Sequence, residues 1–292
     1  MSHTDFPPHD YLTVRELADL LRLKERKVYD LAASGAVPCS RATGKLLFPK
    51  EEIRSWLERE TSGQAAVTVR PGVVLGSHDP LLDWALRQSG CGLAHYFDGS
   101  LDGVARFVAG EGVAAGLHVR GASGVWNVPV VREKAAGTDA VLLQFATRAR
   151  GLVYRSGEKI TSLQDLAGKI VVPRQGQSGT DCLFRQLIAE EGIALEDLRF
   201  GELARTEDEA VEQVRRGLGD VAFGLEAVAR GYGLEFCPVL EEEFALLVDR
   251  KAYFDAPLQR LVAFCSGDAF RARAASLGGY DVSAFGAVRW NG

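Results

Sequence analysis

The apolar positions of this chain follow two periods, and the change between them divides it. In VRELADLLRL, Val14, Leu17, Leu20 and Leu21 fall at helical spacing, with Thr13 placed as N-cap and Glu16 three residues on. After a tight turn at Leu21-Arg22-Leu23, KERKVYDLAASG predicts a second helix with Val28, Leu31 and Ala32 inward and Gly35 at its C-cap. Val37-Pro38 and ATGKLLFP predict a small hairpin tipped by Gly44, and KEEIRSWLERE a third helix burying Ile53, Trp56 and Leu57. Residues 61–70, small and polar, read as a linker. From residue 71 short apolar runs alternate with amphipathic stretches, the pattern of an α/β domain with mainly parallel sheets. The expected domains are therefore 1–60, a helix-turn-helix module, and 71–292, an α/β domain.

Three places in the second domain repeat one local design, and ligands of such folds gather beyond the carboxyl ends of strands. Val73-Val74-Leu75 ends at Gly76-Ser77-His78-Asp79, with Pro80 suited to the first helical turn. Asp98-Gly99-Ser100 precedes LDGVARFVAG, with Ser100 placed to cap. Val171-Val172-Pro173 runs into QGQSGT, where Ser178, Gly179 and Thr180 open a helix whose first amides lack intrahelical acceptors. Each serine alone reads first as an N-cap. If the three junctions meet in one cleft, they form a pocket of neutral donors fitted to a small anion.

Composition adds a soluble globular character: 292 residues, 47% hydrophobic and 25% charged, with a net charge of −5 that argues against a chain coated in nucleic acid. Locally the sign reverses. Between Arg22 and Lys50 seven basic residues face two acidic ones. Five cysteines without a Cys-x-x-Cys pair read as reduced thiols. With no leader-like or membrane-length apolar run, the expected location is cytoplasmic, with no membrane partner.

The run from Tyr11 to Leu57, helix, helix, short wing and closing Ile-x-x-Trp-Leu helix, resembles the excisionase-type, MerR-like winged helix-turn-helix. That resemblance implies double-stranded DNA as partner. Lys24, Arg26, Lys27 and Tyr29 would lie at the recognition helix, and Arg41, Thr43 and Lys45 on the wing against phosphates. GSHDPLLDWAL, GSLDGVARFVAGEGVAAGLHV, VPRQGQSGT and TEDEAVEQVRRGLGDVAFGLEAVARG resemble the two-lobed periplasmic-binding-protein-like domain fused to this module in bacterial one-component regulators. Members of that class are similar to molybdate-binding proteins. The resemblance implies molybdate or tungstate as effector, bound by Ser77, Ser100, Ser178, Gly179 and Thr180, with Thr206 at the return crossing between lobes. His78 reads equally as a ligand donor or as part of its turn. Pro173 and Asp181 depart from the family pattern, and Asp181 would compete with an anion for the helix amides unless its carboxylate points away.

Other polar residues carry open readings. His95 and His118 read as strand-end or packing histidines, and Trp126 and Asn127 as loop residues. Arg148 and Arg150 read as surface ion pairs or as cleft cations suited to an organic carboxylate, and Glu226 as a cap or a ligand contact. No catalytic or metal-ligand motif is present, and Ser77-His78-Asp79 is contiguous where triads are assembled from separate segments. The expected protein is a DNA-binding regulator, not an enzyme, working as a homodimer or higher oligomer on paired half-sites. The competing readings are a regulator sensing a small organic acid or amino acid, an oxyanion-handling enzyme or cofactor-biosynthesis accessory protein, and a constitutive DNA-binding adaptor.

Overall fold

A computed structural model describes residues 10–41, 44–60, 70–176 and 178–292, and the chain divides into two compact units between Val69 and Arg70. In the first unit β1 (Tyr11–Leu12) precedes α1 (Val14–Leu21), which opens with a complete capping box between Thr13 and Glu16. Arg22, in the left-handed region at φ 53°, ends α1 and turns the chain into α2 (Glu25–Ala33). A Ser40–Leu47 bridge closes the wing, and β2 (Phe48–Pro49) pairs antiparallel with β1 before α3 (Lys50–Glu60). Leu12, Leu17, Val28, Phe48 and Ile53 form its core, while Trp56 and Leu57 pack only half-buried at its margin.

The second unit begins with β3 (Val73–Gly76), α4 (Pro80–Gln88), β4 (Ala94–Phe97), α5 (Ser100–Val108), β5 (Ala114–Leu117) and α6 (Val128–Lys134). β6 (Ala140–Tyr154) then crosses to a second lobe of β7 (Ile170–Val172), α7 (Gly179–Glu190), β8 (Arg199–Phe200), α8 (Glu207–Arg215), β9 (Val221–Leu225) and α9 (Glu226–Gly231). β10 (Glu235–Asp249) returns to the first lobe, which α10 (Ala256–Cys265), α11 (Asp268–Leu277), β11 (Tyr280–Asp281) and β12 (Val288–Asn291) complete.

The sheet runs β4-β3-β5-β10-β6-β9-β7-β8. β3, β4 and β5 in the first lobe and β7, β8 and β9 in the second are parallel, as the alternating pattern predicts, but the two 15-residue crossing strands β6 and β10 run antiparallel along their length, and β11 and β12 pair antiparallel with β6. The result is a mixed sheet. Apolar clusters lie on both sides of the crossing, one around Phe145, Phe244 and Phe270, the other around Leu152, Phe184 and Phe223.

One contact fixes the first lobe's geometry. A Cβ on Gly103 of α5 would lie 2.2 Å from the Cα of Gly76 at the end of β3, so only glycine lets helix and strand touch main chain to main chain. Gly103→Ala is expected to lower the unfolding free energy by about 3 kcal/mol, because the overlap meets backbone that cannot swing aside. A lower urea midpoint at unchanged slope would show it; an unchanged midpoint would mean the lobe repacks freely.

Candidate functional site

The three junctions do meet at one cleft between the lobes, of about 270 Å³, lined by Ser77, His78, His118, Ser178, Gly179, Thr180, Thr206 and, at its edge, Asp98, Arg174, Arg205, Glu207 and Asp208. On the first lobe, the Ser77 N–H donates to Gly116 O at 2.8 Å, which bends the chain leaving β3 across β5. Ser77 Oγ then lies 2.8 Å from Ser100 Oγ, and the His118 N–H donates to Ser100 Oγ at 3.1 Å. The serines do not cap α4 and α5. Asp79 caps α4, accepting from the Leu82 N–H at 2.7 Å with Pro80 following it, and Gly99 at φ 148° occupies the α5 N-cap position. Ser100 is fully buried and acts through Ser77 and His118 instead of facing the cavity.

On the second lobe Ser178 caps α7, accepting from the Asp181 N–H at 3.1 Å, so the first turn presents Gly179 and Thr180 to the cleft with the positive end of the helix dipole behind them. The Asp181 carboxylate pairs with Arg185 at 2.7 Å, directed along its own helix and away from these amides. Thr206 is not on the return crossing. It caps α8, accepting from the Glu209 N–H at 3.0 Å, and reaches the cleft from that helix end. His78 is exposed at the rim, edge-on to Phe97 at 5.7 Å. The lobes touch at the cleft, where Gln175 Nε2 donates to Asp98 O at 3.2 Å, and again at the far end of α7, where Arg120 pairs with Glu190 at 2.7 Å.

Beneath the cleft lies a charge cluster that pattern reading places on the surface or leaves as cleft cations. Arg148 and Arg150, alternate residues on β6, are 1% and 0% exposed. Arg148 donates to Asp79 at 2.8 Å and to Glu242 of β10, and its guanidinium stacks 4.4 Å from the Phe244 ring. Arg150 places Nε 2.8 Å from Glu242 Oε2, close enough for an ion pair yet not aligned as a hydrogen bond, and donates to Thr180 Oγ1 at 3.2 Å. Glu207 sits 3.4 Å from Arg150 and also accepts the Leu225 N–H at 2.6 Å. Tyr280 of β11 closes the far side, donating to Asp79 at 2.6 Å.

Burial would raise the Glu242 carboxyl, but Arg148 and Arg150 hold it well below the usual carboxylate range, and Arg150 with Arg174 lowers Glu207 against its own burial. Both are ionised at neutral pH. Burial also pushes His118 below the usual imidazole value, opposed in part by Glu242 3.0 Å from its Nδ1. His118 lines the cleft as well as packing at the end of its strand, and Arg174, which the sequence pattern does not single out, lines it too. The Arg174 side chain lines the cleft, donating from one terminal nitrogen to Arg205 O at 3.0 Å, while its Nε is sealed in the protein with no hydrogen-bond partner among the described residues. The remaining polar residues stand apart. His95 stacks on Phe97 at 4.8 Å, Asn127 ties its loop to Val119 and Glu243, and Glu226 pairs with Arg230.

In the first unit Lys24 is the N-cap residue of α2, and Arg26, Lys27 and Tyr29 follow it on the helix, all exposed. Thr13, Arg15, Tyr29, Arg41 and Lys45 share a concave surface between α1, α2 and the wing, which also carries Glu25 and Asp30. Thr43 lies outside the described residues.

The fold and this cleft define the chain as a two-lobed binding domain carrying a helix-turn-helix, and comparison with known families agrees. The family model described as a PBP superfamily domain matches residues 83–266, and one described as a helix-turn-helix domain matches residues 11–61. The chain belongs to the PBP superfamily. It is 22% identical over 299 residues to the uncharacterized protein YvgK of Bacillus subtilis (strain 168), covering 94% of this chain and 96% of that one. Among solved structures, a putative phosphate ABC transporter substrate-binding protein with bound phosphate from Clostridium perfringens aligns with a TM-score of 0.50 at 12% identity, over 70% of this chain and 96% of that one. The effector-binding domain of QuiR in complex with shikimate aligns at 0.46 and 16% identity, over 66% and 92%. The first of these two structural likenesses shows the fold alone. A helix-turn-helix domain joined to a PBP-like domain is the make-up of a DNA-binding regulator with a ligand-binding domain, and among the described residues no helix is long and apolar enough to cross a membrane.

Proposed function

We propose that this protein is a one-component transcriptional regulator whose cleft senses a small oxyanion, with molybdate or tungstate as effector. One observation carries the reading: Ser77, Ser178, Gly179 and Thr180 converge on a cavity that also receives the first turn of α7 and is lined by the side chain of Arg174. Hydroxyls, helix amides and a guanidinium all donate, which fits a ligand made of acceptor oxygens. Closure of the lobes on the anion would bias one conformation through its extra affinity for that state, and α2, with Lys24, Arg26, Lys27 and Tyr29, would read the major groove as one half of a homodimer.

A second reading rests on the cleft edge. The cavity of about 270 Å³ exceeds what a tetrahedral oxyanion needs, and Asp98, Glu207 and Asp208 line it. An amino acid, with a carboxylate on the α7 turn and an ammonium against these acids, uses both ends. Thermal unfolding of the full chain, titrated with molybdate, tungstate, sulfate, phosphate, carboxylates and amino acids, separates the two. A ligand in hundredfold excess over its dissociation constant adds about 2.7 kcal/mol. Stabilisation by molybdate and tungstate, weakened in Ser77→Ala and Ser178→Ala and accompanied by altered affinity for operator DNA, supports the first; stabilisation by amino acids alone replaces it with the second.

A further inference from the structure

His118 stands at the end of β5 where the first lobe faces the second, 4% exposed yet lining the cleft. Its two ring nitrogens have different neighbours. Nδ1 lies 3.0 Å from Glu242 Oε2. Glu242 is a carboxylate locked by Arg148 and Arg150, and a carboxylate only accepts, so Nδ1 must carry a hydrogen. In the neutral ring that leaves Nε2 as a bare acceptor. No described residue hydrogen-bonds to Nε2, and a Cβ on Gly179 would lie 2.9 Å from it, so it stands against the first turn of α7. This is self-consistent, because a lone pair suits the positive end of a helix dipole and a second N–H there would be repelled.

An anion entering beside that turn reverses the sign. A bare lone pair would face its oxygens, whereas a protonated ring would donate to them. We propose that His118 is a ligand-contacting residue that takes up a proton when the anion binds, so that Nε2–H donates to an anionic oxygen while Nδ1–H remains on Glu242. This rests on the reading of the cleft as an anion site and extends it: the effector is recognised together with one proton. The surrounding charges permit it. Glu242 on β10 favours the imidazolium; Arg148 and Arg150 on β6 oppose it but are engaged by Glu242, with Asp79 beyond Arg148. In front, Glu207 and Asp208 offset Arg174 and Arg205 across the cavity. Protonation adds one positive charge to a cleft that has just received a negative one.

The test is isothermal titration of the full chain with molybdate, tungstate, sulfate and benzoate, in buffer pairs of unlike ionisation heat between about pH 6 and about pH 8. For whichever anion binds, uptake approaching one proton per anion is expected at the alkaline end, with affinity falling about tenfold per pH unit there. In His118→Gln both the uptake and the slope should vanish. In the wild-type chain the Nε2 nitrogen resonance of His118 should move to the protonated position on adding the anion, a readout independent of any variant's folding. Binding without proton uptake, or uptake unchanged in His118→Gln, overturns this role and leaves the anion site standing. No binding by any of the anions at any pH overturns both.

Discussion

Glu242→Ala is expected to lower the unfolding free energy by about 3–5 kcal/mol, the largest stability effect of any single charge removal in the second domain. Glu242 is 0% exposed and, among the described residues, is the one carboxylate that meets both Arg148 and Arg150 while also accepting from His118. Its loss leaves two buried guanidinium groups with only Asp79 against Arg148 and the longer 3.4 Å pairing of Glu207 against Arg150. Urea unfolding at neutral pH measures it, and Glu243→Ala is the control: that neighbour pairs with the half-exposed Arg289 at 2.7 Å and should cost less than about 1 kcal/mol. Equal effects would mean that water reaches the cluster. The same groups set the acid response of the wild type. Glu242 and Glu207 have folded values below the roughly 4.3 of an unfolded glutamate, so their contribution is present above that pH and is lost as pH falls through the folded values. His118 acts earlier. Its folded value lies below the roughly 6.5 of an unfolded histidine, so below that pH the unfolded chain gains a proton the folded one refuses, and stability declines. Stability without ligand should therefore begin to fall below about pH 6.5 and fall faster below about 4.3.

What pattern reading reaches and what it misses follow from sequence distance. The Ser178-Gly179-Thr180 turn is legible because its apolar strand, its cap and its helix are contiguous, and the direction of the Asp181 carboxylate is written four residues on at Arg185. Asp79 as a cap is signalled by Pro80. His118 and Arg148 are different. The partner that gives each its role, Glu242, lies 124 and 94 residues away, and only the antiparallel pairing of β10 with β5 on one side and β6 on the other brings it near. Arg148 and Arg150 alternate with small and apolar neighbours along a strand, a pattern that implies one solvated face. The crossing strands have no such face at this point, since both sides are covered where the lobes join. Ser100 errs in the same way: its place at a helix start predicts a cap, but β5 passes close enough for the His118 amide to claim its oxygen.

Gly179→Ala separates ligand binding from folding more cleanly than any charge change. Gly179 is the first residue of α7 and its φ is outside the left-handed region, so alanine suits the backbone and raises helix propensity by about 1 kcal/mol. The methyl group, however, would lie 2.8 Å from His118 Cε1, 2.9 Å from His118 Nε2 and 3.2 Å from Ser100 Oγ. It must push the imidazole aside or hold the lobes apart, and either separates the α7 amides from the donors of the first lobe. We expect affinity for the effector to fall about a hundredfold, equivalent to about 2.8 kcal/mol, while the unfolding free energy without ligand stays within about 1 kcal/mol of wild type. Gly176→Ala, in the same turn with nothing within 4 Å of its Cβ position, should leave affinity unchanged. Because the signal depends on differential binding to two states, the DNA response to effector in Gly179→Ala should shift to correspondingly higher concentration without altering DNA affinity in its absence. An affinity within threefold of wild type would show that the ligand does not require this approach of α7 to His118, and would move the binding site out of the cleft floor.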